Sequence, residues 1–94
     1  MAIYLVENED APINNYCCYW LVRANTAKEA VDRVYFEENQ ERADQDAIWS
    51  EDPVAIKRAI AAAARWSGIL KRKLTAVKVD DKLFCGDFNT YMIC

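Results

Sequence analysis

The chain of 94 residues contains no histidine, two glycines and two prolines. Without histidine, the common serine and cysteine hydrolase triads and histidine-ligated metal sites are excluded. The scarcity of glycine and proline argues against low-complexity segments, and no glycine-rich phosphate loop is present. No apolar run approaches the roughly 20 residues that a transmembrane helix needs. We therefore expect a protein that is not an enzyme, binds no cofactor and does not enter a membrane.

The four cysteines are spaced too irregularly for a recognisable metal site. Cys17 and Cys18 are adjacent, Cys85 and Cys94 are far away, and no C-x-x-C pair occurs. Residues 1–7 lack the basic region of a secretory signal, so we expect a soluble protein of the cytoplasm. In that compartment free thiols are expected rather than disulfides.

Charge is distributed unevenly along the chain. Residues 1–52 carry twelve acidic and four basic residues, whereas residues 53–94 carry eight basic and three acidic ones. The net charge of −3 is therefore the sum of a first half at −8 and a second half at +5. Such asymmetry bears on partners and association rates rather than on fold.

Two apolar segments at each end of the chain predict strands. Aromatic and β-branched residues in 2–7 and 15–24 predict an antiparallel hairpin, and the second segment is apolar on both faces. Alternation within 70–80 predicts a third strand, and 83–94 resumes extended structure.

Start and stop signals define two helices between these strands. Thr26 and Glu29 form a capping box that starts the first helix, which we expect to end between residues 37 and 42. Asp52 before Pro53 starts the second helix, and Gly68 ends it. The second helix is predicted to present one apolar face, formed by Ile56, Ala59, Ile60, Ala63 and Trp66. The sequence thus predicts one α+β domain over residues 1–94, of two layers, with an antiparallel four-stranded sheet packed by two helices in the order ββααββ.

Acidic residues concentrate at the end of the first helix and in the segment after it. A partner-binding set is predicted here, in which carboxylates take the place of nucleic-acid phosphates: Glu37, Glu38, Glu41, Asp44 and Asp46, with Trp49 as an apolar anchor. The alternative is an ordinary solvated helix end, with Trp49 holding the connector to the core. Catalysis by adjacent acids, Glu37-Glu38 or Asp80-Asp81, is disfavoured because both pairs lie in polar runs.

Basic residues offer an alternative, nucleic-acid-binding set. It consists of Lys57, Arg58, Arg65, Lys71, Arg72 and Lys73. The acidic net charge and the absence of a known nucleic-acid-binding signature argue against it, and these residues can instead neutralise the acidic half.

Aromatic residues of the second strand allow a third interpretation. Tyr16, Tyr19 and Trp20 can form a base-stacking platform, but two apolar faces fit core burial better, with Trp20 in the core. One face can also complete a homodimer, as in a self-associating structural subunit.

The first third of the chain resembles small bacteriophage and mobile-element accessory proteins. The resemblance rests on Ile3-Tyr4-Leu5-Val6, a short acidic turn and residues 21–30, and it covers residues 2–34. Several anti-CRISPR proteins are similar: short, acidic, compact and without catalytic motifs. The resemblance implies a phage-derived inhibitor that binds a host defence complex, such as a CRISPR-Cas effector subunit, in the cytoplasm of an infected or lysogenic bacterium. It assigns no functional residue.

Overall fold

The structure, a computed structural model, describes residues 1–9, 19–79 and 90–92. In chain order the elements are β1 (Ala2–Asn8), β2 (Tyr19–Ala24), α1 (Ala27–Gln40), α2 (Gln45–Trp49), α3 (Pro53–Ser67), a 3₁₀ turn (Lys71–Lys73), β3 (Leu74–Val79) and β4 (Thr90–Met92). The main sheet is antiparallel, with β1 between β2 and β3. The three residues of β4 pair with the free edge of β2.

The protein is of the α+β class, but the predicted ββααββ architecture is wrong. The described chain has three helices rather than two, because α2 forms within the acidic segment that was predicted as a connector. Lys71–Lys73 form a 3₁₀ turn, closed by Lys73 N–H donating to Leu70 O, so the third strand begins at Leu74. Among the described residues, three strands of six or seven residues make up the main sheet, and β4 contributes three residues at its edge. The predictions for Tyr16, Asp80-Asp81 and the four cysteines lie outside the described residues.

The helix termini are confirmed. Thr26 Oγ1 accepts from the N–H of Glu29 at 3.1 Å, which caps α1. Asp52 Oδ1 accepts from the N–H of Val54 at 3.0 Å, and Pro53 occupies the first turn of α3. Gly68 ends α3 with φ of 79°, a left-handed conformation in which a side chain would be crowded.

α1 lies between the sheet and α3. On its sheet side, the core consists of Val6, Trp20, Val22, Ala24, Ala30, Val34, Ile69 and Leu74. On its other side, a second cluster centres on Ala43, Ile60 and Ala63. The prediction that Trp20 is a core residue is confirmed, since it is fully buried, whereas Tyr19 is 37% exposed. Because α3 packs mainly against α1 and α2, the helices do not form a single layer on the sheet.

Trp66 is the exception to the predicted apolar face of α3. Its side chain is 69% exposed, and the buried residues of the helix are Ile60, Ala63, Ala64 and Ser67. At 3.6 residues per turn, Trp66 lies about 110° around the axis from the centre of that buried set. The other four residues of the predicted face pack in the second cluster: Ile56, Ala59, Ile60 and Ala63.

A buried polar network fixes α3 against α1. The side-chain amide of Asn39, in α1, donates to Tyr35 O at 2.9 Å and to Ile69 O at 3.0 Å. Its carbonyl accepts from Ser67 Oγ at 2.7 Å, and Ser67 Oγ accepts from Ile69 N–H at 3.1 Å. This network joins α1 to the last residue of α3 and the residue after its cap, and so sets the space between the two helices.

Candidate binding surfaces

Four acidic side chains form what we call the acidic surface: Glu37, Glu41, Asp44 and Asp46. All four are exposed. Glu37 lies in the last turns of α1, and Glu41 directly follows the helix. Asp44 caps α2, because its Oδ1 accepts from the N–H of Asp46 at 3.0 Å. The predicted partner-binding carboxylates, with one exception, are therefore open to solvent.

The exception is Glu38. Its Oε1 accepts from Trp20 Nε1 at 3.1 Å, and its Oε2 lies 3.7 Å from Arg42 Nη1. Arg42 also donates to the backbone carbonyl of Glu38. Glu38 thus satisfies the indole N–H of a fully buried tryptophan, so we withdraw it from the predicted contact set. The sequence carries no signal for this pairing, since Trp20 is 18 positions earlier.

Trp49 lies at the end of α2 with its side chain 80% exposed. It does not hold α2 to the core. That contact is made by the preceding residue, Ile48, which is half-buried and packs against the cluster of Ala43, Ile60 and Ala63. Around Trp49 along the chain, Asp46, Glu51 and Asp52 are exposed acids. Trp49 is therefore an exposed aromatic residue in an acidic segment.

A groove of 920 Å³ lies between α1, α3 and the 3₁₀ turn. On α3, Ile56, Ile60 and Ala64 form an apolar row at intervals of four residues, which places them on one side of the helix. On α1, Tyr35 and Phe36 form the opposite wall, and Phe36 is 45% exposed. Leu70, Ala61 and Pro53 complete the apolar lining.

Basic side chains edge this groove. Lys57, Arg65, Lys71 and Arg72 line it, which brings together four of the six residues of the alternative nucleic-acid-binding set. The other two, Arg58 and Lys73, are not among its lining residues. Within the described part of the chain, Lys57, Arg65 and Arg72 make no ion pair. We call the four basic lining residues and the apolar lining together the basic groove.

Lys71 has a structural role at the edge of the groove. Its Nζ lies 3.4 Å from Asp32 Oδ1 and 4.9 Å from the centre of the Tyr35 ring, a cation–π distance. Asp32 also pairs with Lys28 Nζ at 3.6 Å. Lys71 therefore ties the turn after α3 to α1.

The acidic surface and the basic groove are separate. Neither Trp49 nor any residue of the acidic surface lines the groove, where Asp32 is the acidic lining residue. Within α1 and just beyond it, Glu29 pairs with Arg33 at 3.3 Å and Glu38 with Arg42 at 3.7 Å. The described contacts therefore do not show the second half of the chain neutralising the acidic surface.

Other kinds of site have no support in the described ranges. There, no group of three or more cysteine and acidic residues is placed to hold a metal ion. Among the same residues, no helix has the length and apolar character to span a membrane.

Comparisons with protein-family models, curated proteins and solved structures find no match. The resemblance to small phage proteins therefore stays a prediction.

Proposed function

We propose that this chain is a non-enzymatic binding protein that engages a basic surface of a partner protein through its acidic surface and Trp49. The observation that carries the proposal is the exposure of four carboxylates together with a tryptophan that is 80% exposed. Tryptophan is enriched among the residues that dominate binding energy at protein interfaces.

Electrostatics give the acidic surface a role in association. Exposed carboxylates attract a basic surface over about 10 Å at 0.1 M salt and raise the rate of encounter. Trp49 then supplies apolar area, which the charges alone do not. The pairing of Glu38 with Trp20 and Arg42 leaves the other four carboxylates to face the partner.

The partner that fits this chemistry is a protein whose Lys/Arg-lined surface normally holds nucleic acid. With the resemblance to small phage proteins, this becomes a specific hypothesis: an anti-CRISPR protein that occupies the nucleic-acid channel of a CRISPR-Cas effector in the bacterial cytoplasm. Such an inhibitor competes with nucleic acid and loses affinity as salt is raised.

Direct nucleic-acid binding is the second candidate, because four basic residues meet at the groove. The groove walls argue against it, since they are formed largely by aliphatic and aromatic side chains that offer nothing to a phosphate backbone. A gel shift at low salt tests this candidate, and retention of DNA or RNA that is lost in Lys57→Glu would favour it.

The proposed function is tested with Glu37→Gln/Glu41→Gln, which removes two charges without removing either side chain. Against a panel of purified CRISPR-Cas effectors, the unmodified chain should bind at least one member and compete with its target nucleic acid. The double variant should bind roughly tenfold more weakly at about 0.1 M salt, since each exposed pair contributes up to about 1 kcal/mol. The difference should shrink at about 1 M salt, where screening is nearly complete.

A matched control is Glu7→Gln/Glu9→Gln, which neutralises two exposed acids of β1 and the residue after it. It should bind as the unmodified chain does. Equal weakening by both double variants would mean that net charge alone matters, and this result would overturn the assigned surface. Absence of binding to every effector in the panel would reject CRISPR effectors as the partner class.

A further inference from the structure

The basic groove has the features of a docking site for another polypeptide. It is a channel between two helices that opens to solvent, rather than a closed pocket, and Phe36 remains 45% exposed on its wall. Its apolar row from Ile56 to Ala64 extends about 12 Å along α3, roughly two helical turns. An occupant must therefore bring apolar side chains to the centre and negative charge to the edges.

Three of the four basic side chains at the edges have no ion-pair partner among the described residues. Lys57, Arg65 and Arg72 make no ion pair in the described part of the chain, whereas Asp32, the acid of the lining, is already held by Lys71 and Lys28. An aliphatic ligand without charge would leave these three cations unused, and a phosphate backbone would leave the apolar walls unused. An acidic segment with a large apolar side chain satisfies both.

This chain itself carries such a segment. In residues 44–52, Trp49 is exposed and is accompanied by Asp46, Glu51 and other acids. α2 contains no fully buried residue, so the segment can make new contacts without disrupting the core. Trp49 does not line the groove of its own chain. A second molecule can supply it.

We propose that the basic groove binds the 44–52 segment of a second copy of this chain, with Trp49 between the helices and Asp46 and Glu51 facing Lys57 and Arg65. Pro53 lines the groove and directly follows the segment in the chain, so the 44–52 segment and the basic groove are neighbours on one molecule. Such an arrangement allows both contacts to form about one two-fold axis, which closes the assembly as a dimer.

The proposed dimer is an addition to the proposed function, and it reduces the amount of chain that is available to bind the partner. Trp49 serves both, so each dimer contact hides a residue that the partner needs. The dimer is then a resting state, and a strong partner competes with it by mass action. Because the dimer is measured on the purified chain alone, its failure and the failure of the proposed function are separate results.

The test is a charge exchange between groove and segment. Lys57→Glu/Arg65→Glu makes the groove acidic, and Asp46→Lys/Glu51→Lys makes the segment basic. By light scattering and sedimentation over a concentration series at about 0.1 M salt, the unmodified chain should dimerise, and this should weaken at about 1 M salt. Each double variant alone should stay monomeric. Their equimolar mixture should dimerise again, because both reciprocal contacts then pair opposite charges.

Two controls separate this contact from general effects. Arg58→Glu reverses a charge on the same helix outside the groove and should dimerise as the unmodified chain does. Trp49→Ala should lower the association constant of the dimer at least tenfold. Trp66→Ala removes an exposed tryptophan that does not line the groove and should leave the association constant unchanged. An unmodified chain that is monomeric at every concentration would overturn the proposal. So would a mixture of the two charge variants that stays monomeric although circular dichroism shows both to be folded.

Discussion

At the scale of single residues, Asn39 joins α1 to the end of α3. Asn39 is fully buried; its amide donates to two backbone carbonyls, and its carbonyl accepts from Ser67 Oγ. The bonds to Ile69 O and Ser67 Oγ are specific to one arrangement, since a shift of α3 relative to α1 would break both. The basic groove therefore depends on a residue that does not line it.

We expect Asn39→Ala to lower the free energy of unfolding by about 2–4 kcal/mol, because it leaves a cavity and an unpaired Ile69 carbonyl. Ser67→Ala should cost about 1–2 kcal/mol. The double variant should cost less than the sum, since both single changes break the same hydrogen bond. Urea titration of the four proteins measures the coupling, and additive costs would show that the two side chains act independently.

Asn39→Asp is the isosteric comparison. The new carboxylate would face Ile69 O in place of an amide donor, and burial would raise its pKa above the usual 3.9 or so. Since the protonated form is the one favoured by folding, its cost relative to the unmodified chain should be smallest below about pH 4. The cost should grow as the pH rises from about 4 towards the raised pKa, because only the unfolded state ionises in that range, and it should level off above the raised pKa.

At the scale of elements, the helix boundaries could be predicted because capping is local. Thr26, Asp52 and Gly68 act on residues within a turn of themselves, so the sequence contains all that is needed. α2 could not be predicted in this way. Its five residues include no buried position, and the acidic composition around it is equally typical of a solvated connector.

We expect Asp52→Ala to lower the free energy of unfolding by about 1 kcal/mol, because the N–H of Val54 loses its acceptor. For a domain of this size, that lowers the melting temperature by about 4–8 °C. Asp52→Asn keeps a side-chain acceptor and should remain within a few tenths of a kcal/mol of the unmodified chain. Thermal denaturation monitored by circular dichroism distinguishes them, and equal losses would mean that charge rather than capping is responsible.

At the scale of the whole molecule, the sequence predicts the class of fold better than its arrangement. The sequence shows that basic residues concentrate in the second half of the chain. It does not show that four of them line one groove: Lys57, Arg65, Lys71 and Arg72. These residues come together because α3 packs against α1 rather than against the sheet. This packing is determined by contacts between residues far apart in the sequence. The role of Glu38 could not be predicted either, because its hydrogen-bond partner Trp20 lies in another element of the fold.

The unequal packing predicts unequal stability across the fold. β1 bonds to strands on both sides, whereas α2 has no buried residue. In hydrogen exchange measured by NMR, we expect amides of residues 3–7 to open only with global unfolding. Amides of α2 should exchange roughly a thousandfold faster or more. Protection of α2 equal to that of β1, in monomer conditions, would show that α2 unfolds only with the core.

The shallow attachment of α2 has a consequence for how this protein can change over time. With Ile48 as its main contact to the interior, most of the segment is free to accept substitutions that leave the rest of the fold intact. Substitutions there can therefore change what the protein binds while the sheet and the core are preserved.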